Sequence, residues 1–183
     1  MSPTRKAARA SKAVPRRRGE PKASRMTSVG YGLDQAKSPA GKRFPWRRVQ
    51  RLLETARNYW IGTTGPDGRP HAAPVWGVWV SNTLYFSTGE ESRKGRNLKR
   101  NPRVTVHPEV DNEAVIVEGT AQRITSAATL GPVWKAYNKK YDWNVEGYPF
   151  YVVRPSVAYS FKEDLPETAT RWSFPKGSTR KGA

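Results

Sequence analysis

A chain of 183 residues has room for one domain with a real core, but not for two large ones. It contains no cysteine, which excludes disulfides, thiolate nucleophiles and cysteine metal sites. Its net charge of +18 favours polyanionic partners, either nucleic acid or a cofactor bearing phosphates and carboxylates.

The charge is uneven along the chain. Residues 1–25 hold nine Lys or Arg against one acid and few large apolar side chains. Such a segment cannot bury enough surface to offset its ordering entropy, so it reads as a disordered basic tail. A transit peptide has similar composition, but its aromatic and leucine face is missing here. A nucleic-acid arm and a translation start at Met26 both stay open. Residues 26–44 read as a loose linker, punctuated by Gly30, Gly32, Pro39 and Gly41. No apolar run approaches the ~20 residues that span a bilayer, and no signal-peptide core is present. The expectation is a cytoplasmic protein with no membrane contact.

Ordered structure is expected over 45–174, with a flexible tail at 175–183. Val49, Leu52, Leu53 and Ala56 recur at i, i+3, i+4, i+7, which predicts a helix from Pro45 to about Arg57. Tyr59–Thr64 (YWIGTT) is a β-type run, and Gly65-Pro66-Asp67-Gly68 is a turn. Pro70–Val80 predicts a long strand with a bend at Gly77. Ser81-Asn82 turns into a third strand, Thr83–Thr88. Ser92 then occupies an N-cap position before a short basic helix, Arg93–Asn101, anchored by Leu98 and stopped by Pro102. Strands follow over Arg103–Val110 and Ala114–Ile124. Ser126–Tyr141 is expected to be helical through Leu130, Val133, Trp134 and Tyr137. Phe150–Val153 and Val157–Phe161 predict two short strands broken at Arg154-Pro155. Sequential hairpins with few helices between them predict a mainly β fold, an antiparallel barrel with peripheral helices.

Three features carry chemistry. Ser92-Arg93-Lys94 opens a helix, where unpaired N–H groups and partial positive charge attract an anion. Ser92 offers a hydroxyl, Arg93 a planar fork and Lys94 a point charge. Gly95 leaves room for close approach. The group reads as a phosphate cradle or as a solvated basic helix, and spacing alone divides the two evenly. In Pro74-Val75-Trp76-Gly77 the proline implies a strand edge or bulge and Gly77 the close approach of a backbone or a flat ligand, with a barrel bend packed by Trp76 as the plainer alternative. Arg171-Trp172 near the C-terminus suits either a neighbouring subunit's site or core packing. His71 and His107 are too far apart for a helical metal motif, so no metal site is expected. There is no Ser/His/Asp arrangement, no paired carboxylates and no Walker-type loop. No catalytic residue is assigned, and a cofactor would have to supply the reactive chemistry.

The stretch WIGTTGPDGRPHAAPVWGVWVSNTLYFSTGEESRKGRNLKRNPRVTV, followed by AVIVEGTAQRIT, resembles the pyridoxamine 5′-phosphate oxidase-like split β-barrel superfamily. Within it the chain is similar to the deazaflavin (coenzyme F420)-dependent oxidoreductase branch, as is the C-terminal ATRWSF. The resemblance covers about residues 46–174. It implies a six- to seven-stranded split barrel that dimerises, with a cofactor at each end of the subunit interface.

Carried over by position, Arg93 and Lys94 match the phosphate-binding pair, with Ser92 before them. Ser87 and Thr88 match the strand end beside the phosphate. Pro74, Val75 and Trp76 match the segment lining the ring, and Asn97 lies one turn further on. Arg171 and Trp172 would approach the partner chain's cofactor. The Arg- and His-rich C-terminal segment of true pyridoxamine phosphate oxidases is not recognisable here. Ala114 stands where FMN-binding members often place a glutamine. The resemblance therefore implies an F420-dependent oxidoreductase passing hydride to a small conjugated substrate, with FMN as the alternative cofactor. Arg96, Lys99, Arg100 and Arg48 or Arg51 would meet the deazaflavin's anionic tail. The alternative of another class is a non-catalytic cofactor carrier, or a nucleic-acid-associated protein acting through the basic tail.

Overall fold

The computed structural model describes residues 20–26, 45–162 and 169–175. The expected disorder of residues 1–19 and the expected tail after Pro175 lie outside the described residues, as does most of the 26–44 linker.

Eleven elements follow in chain order among the described residues. They are β1 (Lys22–Arg25), α1 (Trp46–Thr55), β2 (Asn58–Thr64), β3 (Pro70–Val80), β4 (Thr83–Ser87) and α2 (Arg93–Arg100). Then come β5 (Arg103–Pro108), β6 (Glu113–Ile124), α3 (Ala127–Tyr141), β7 (Phe150–Lys162) and β8 (Thr170–Ser173). All strand pairings are antiparallel, in the order β1-β8-β7-β4-β3-β2-β5-β6, and β6 pairs back onto β7. Strands β2 to β7 therefore close a six-stranded barrel, and β8 and β1 extend it from β7. This is the split-barrel class that the sequence predicts.

Two strands change partner along their length. Strand β3 pairs with β2 over Pro70–Trp76 and with β4 over Gly77–Val80. Gly77 marks the handover: a Cβ there would lie 2.9 Å from the Tyr85 carbonyl and 3.1 Å from Leu84. Of the two close approaches expected at Gly77, the one seen is that of the neighbouring strand's backbone.

Strand β7 pairs with β4 over Phe150–Val153 and with β8 over Val157–Ser160. It is one strand of 13 residues, which corrects the expectation of two short ones. Pro155 sits in the gap between these two partners while staying in register with Gly119 of β6. The irregularity appears instead as a register shift against β6 between Glu118 and Gly119. Gly119 is required there, because a Cβ would come within 2.2 Å of the Arg154 carbonyl.

β1 corrects a second expectation. Its KASR sequence falls inside the segment read as disordered, yet Lys22–Arg25 pairs with Thr170–Ser173. Backbone pairing to β8, not a hydrophobic pattern, makes it a strand.

Alternation sends Tyr59, Ile61, Val75, Trp79, Leu84 and Phe86 into the barrel, where they meet Val104, Val106, Val115, Val117 and Val153. α1 plugs one end with Trp46, Val49 and Leu53. Trp46 packs on Trp172 with ring centroids 5.3 Å apart and on Phe174 at the same distance. A second apolar cluster lies outside the barrel, where Leu130, Val133, Tyr137 and Tyr141 of α3 cover Val78 and Phe150. Among the described residues no helix is long and apolar enough to cross a membrane.

Candidate functional site

The start of α2 carries the site. Ser92 is its N-cap, and the Gly95 N–H donates to its Oγ at 3.1 Å. The same hydroxyl lies 3.1 Å from Thr88 Oγ1, which fixes the cap to the end of β4. The Ser92 N–H donates to the Gly89 carbonyl, and the Arg96 N–H to the Ser92 carbonyl. That leaves the N–H groups of Arg93 and Lys94 without a partner among the described residues. Two open donors, the positive end of the helix and two cationic side chains converge there, an arrangement that holds an anion. Arg93 is exposed and Lys94 half-buried.

Gly95 plays a different part from the one expected. A Cβ on it would lie 2.5 Å from the Gly89 carbonyl and 2.6 Å from that of Glu90. The missing side chain admits the incoming loop, not the ligand. Asn97 is likewise a brace: it is buried, and its Nδ2 donates to Thr63 Oγ1 at 3.0 Å, tying α2 to β2. Ser87 donates its hydroxyl to the Pro149 carbonyl at 2.9 Å, so that donor is directed at the loop before β7.

The ring-lining segment divides by strand alternation. Val75 points into the barrel core and offers no side chain to the outside. Pro74 is exposed, and Trp76 is 39% exposed. Trp76 stacks flat on Tyr141, with centroids 4.8 Å apart and planes at 4°. The Arg57 guanidinium lies 5.7 Å from the Trp76 ring centre and 5.8 Å from that of Tyr141. The Tyr141 hydroxyl accepts from the Gly77 N–H at 2.9 Å and lies 2.7 Å from the Arg57 and Gly77 carbonyls. Lys140 donates to the Tyr59 hydroxyl at 3.0 Å and to the Gly77 carbonyl at 3.1 Å. Burial, then Arg57, lowers its pKa to about 8. No spacing pattern in the sequence links these residues.

Trp172 corrects the expectation of an aromatic side chain at a partner's cofactor. Alternation turns it inward, it is buried against Trp46, and its Nε1 donates to Ser160 Oγ at 3.1 Å. Arg171, its neighbour on the opposite strand face, is half-buried and donates to Ser173 Oγ.

The cations expected at an anionic tail separate into two groups. Arg93, Arg96 and Arg100 line one pocket of about 400 Å³ with Asn97 and the Gly65–Asp67 turn. Lys99 faces Glu90 and Glu91, each at 3.5 Å, and Arg48 pairs with Glu113. Arg51 lines a separate pocket beside Arg48 at the α1 end.

His71 is a residue that the sequence reading weighs only as a metal ligand. It pairs with Thr63 across β2 and β3, on the face that α2 covers. Burial first, then the charges of Arg93 and Lys94, hold its imidazole below the ordinary pKa. Among the described residues no group of three or more His, Asp or Glu is placed to hold a metal.

A family model described as pyridoxamine 5′-phosphate oxidase matches residues 46–167. No curated protein sequence matches the chain. Solved structures of the same fold include the conserved hypothetical protein Rv2991 from Mycobacterium tuberculosis. It is 21% identical with a TM-score of 0.61, over 79% of this chain and 99% of that one. General Stress Protein 26 from Bacillus anthracis is 21% identical with a TM-score of 0.53, over 63% and 92%. An F420 reductase is 24% identical with a TM-score of 0.50, over 66% and 97%.

Proposed function

The chain belongs to the pyridoxamine 5′-phosphate oxidase family of flavin-binding split barrels, and from that premise we propose that it is a homodimeric oxidoreductase using coenzyme F420. The observation that carries this reading is the start of α2, where open N–H groups, Arg93 and Lys94 converge beside the Ser92–Thr88 pair. That cradle would hold one phosphate of the cofactor. The adjoining pocket of Arg93, Arg96 and Arg100 suits further anionic groups, which a deazaflavin's tail carries and FMN does not. The F420 reductase among the structural relatives supports the same choice.

The bound deazaflavin would supply a hydride to a small conjugated substrate. The chain's own part is to bind and to orient. Ser92, Arg93 and Lys94 hold the phosphate, while Pro74 and Trp76 give the ring a rigid apolar wall. Tyr141 locks Trp76 from behind, so the wall does not depend on the ligand for its position. No side chain of the described residues is assigned as proton donor to the substrate.

Separate fluorescence titrations with F420 and with FMN test the cofactor. Tight F420 binding is expected, and tight binding of FMN alone would overturn the reading. Replacing Arg93 and Lys94 by alanine removes charged hydrogen bonds worth about 1.5–3 kcal/mol each. F420 affinity should fall by at least about tenfold, and an unchanged affinity would place the cradle elsewhere.

A further inference from the structure

The cradle has a histidine on the same side of the sheet, across β2 and β3 from the residue that braces α2. We infer that His71 is the third cationic member of this site and takes up a proton as the phosphate binds. This rests on reading the α2 start as a phosphate site.

The geometry comes from the β2–β3 ladder. His71 lies opposite Thr63, and Thr63 accepts from Asn97 on α2. Thr63, His71 and the first two turns of α2 therefore share one side of the sheet. The groups acting electrostatically on His71 are Arg93 and Lys94, both cationic, with no carboxylate among them. Other charged residues stand nearby. Arg103 of β5 and Glu118 of β6 line the groove that His71 borders. Asp67 and Arg69 in the β2–β3 turn are 3.2 Å apart and paired with each other.

With the cradle empty, burial first, and then the like charges of Arg93 and Lys94, oppose protonation of His71. An anion between Arg93 and Lys94 cancels their repulsion and adds attraction. The proton affinity of the imidazole must then rise. Linkage makes the effect reciprocal: a protonated His71 raises anion affinity by the same factor. Anion binding should therefore strengthen as pH falls through the histidine's range, by at most about tenfold per pH unit for one linked proton.

The chain has only two histidines, so their ring signals can be followed by NMR from about pH 5 to 8 in the intact protein. His71→Gln assigns them. Sulfate serves as one probe because it stays doubly charged across this range, and F420 serves as the other. His71 should titrate below the usual value in the free protein and move upward with either probe. His107, on the outer face of β5 with no cation acting on it, should stay put. Arg93→Ala should raise the His71 midpoint even without a ligand. His71→Gln should flatten the pH profile of F420 affinity.

If a probe binds through Arg93 and Lys94 but His71 does not move, the inference fails and the phosphate reading stands. A steep pH profile retained by His71→Gln sinks it equally. If neither probe binds, the phosphate reading fails and carries this inference with it.

Discussion

Lys140 sits where a lysine is costly. Its ammonium is half-buried beneath Gly77, against the rings of Tyr59 and Tyr141 and near Arg57. The folded pKa of about 8 lies below the ordinary 10.5, so between these values the unfolded chain holds a proton that the folded chain has lost. Stability should therefore rise with pH across this window, and the penalty is fully present below it. Lys140→Met removes the charge and keeps the stem. The Tyr59 hydroxyl still donates to Leu53, and the Gly77 carbonyl still has Tyr141. Urea denaturation at pH 7 should show the variant as stable as the parent or more so. The parent's gain towards pH 9.5 should shrink in the variant. A larger alkaline gain in Lys140→Met would refute the assignment.

At the scale of elements, α2 depends on how closely the loop before it packs. The loop carbonyls of Gly89 and Glu90 lie where a side chain on Gly95 would go. Gly95→Ala should cost about 1–3 kcal/mol through overpacking, despite alanine's better helix propensity. A melting curve measures the cost, and phosphate affinity should fall with it because the cap is displaced. Unchanged melting would mean that the loop yields freely.

This helix is legible in the sequence because every signal for it is local: Ser92 starts it, Leu98 anchors it and Pro102 stops it. The barrel strands are legible for the same reason, through alternation and turn residues. The Arg57–Trp76–Tyr141–Lys140 cluster is not, because Lys140 meets Gly77 across 63 residues with no periodic signal. Val75 and Trp172 show a related limit. Resemblance carries a role to a position, but strand alternation decides which way its side chain points. β1 is illegible because its pairing strand, and not its own residues, defines it.

For the whole molecule, the open question is what covers the outer faces of β2, β3, β5 and β6. Trp60 is 42% exposed there, cross-strand from Pro74 and His107, and Trp76 lies near by. Two exposed tryptophans on one sheet face are unusual for a surface that stays in water. A second copy of the chain is the proposed cover. Trp60→Glu, with two buried like charges across the interface, should give a monomer by light scattering and lose cofactor affinity together with dimerisation. A parent protein that is monomeric at micromolar concentration would remove this proposal.

The basic tail is a separate matter. As a nucleic-acid arm it predicts DNA binding with steep salt dependence, lost when the tail is deleted. The deletion must stop at residue 19, since a cut at 25 would take away β1 along with the charge. Residues 1–19 still hold seven Lys or Arg and no acid. Equal, weak binding by the full and shortened proteins would end that role.

The pairing of β1 with β8 also sets an order of events. Ser24 donates to the Arg171 carbonyl across 147 residues, so the first of the described strands joins the last of them. The barrel strands can find one another while synthesis continues, but β1 must wait for Thr170–Ser173. Throughout that interval the N-terminal segment remains within reach of proteases. A nascent chain stalled before residue 170 should lose β1 to brief proteolysis that a chain extended past Ser173 resists, so β8 decides whether β1 is protected.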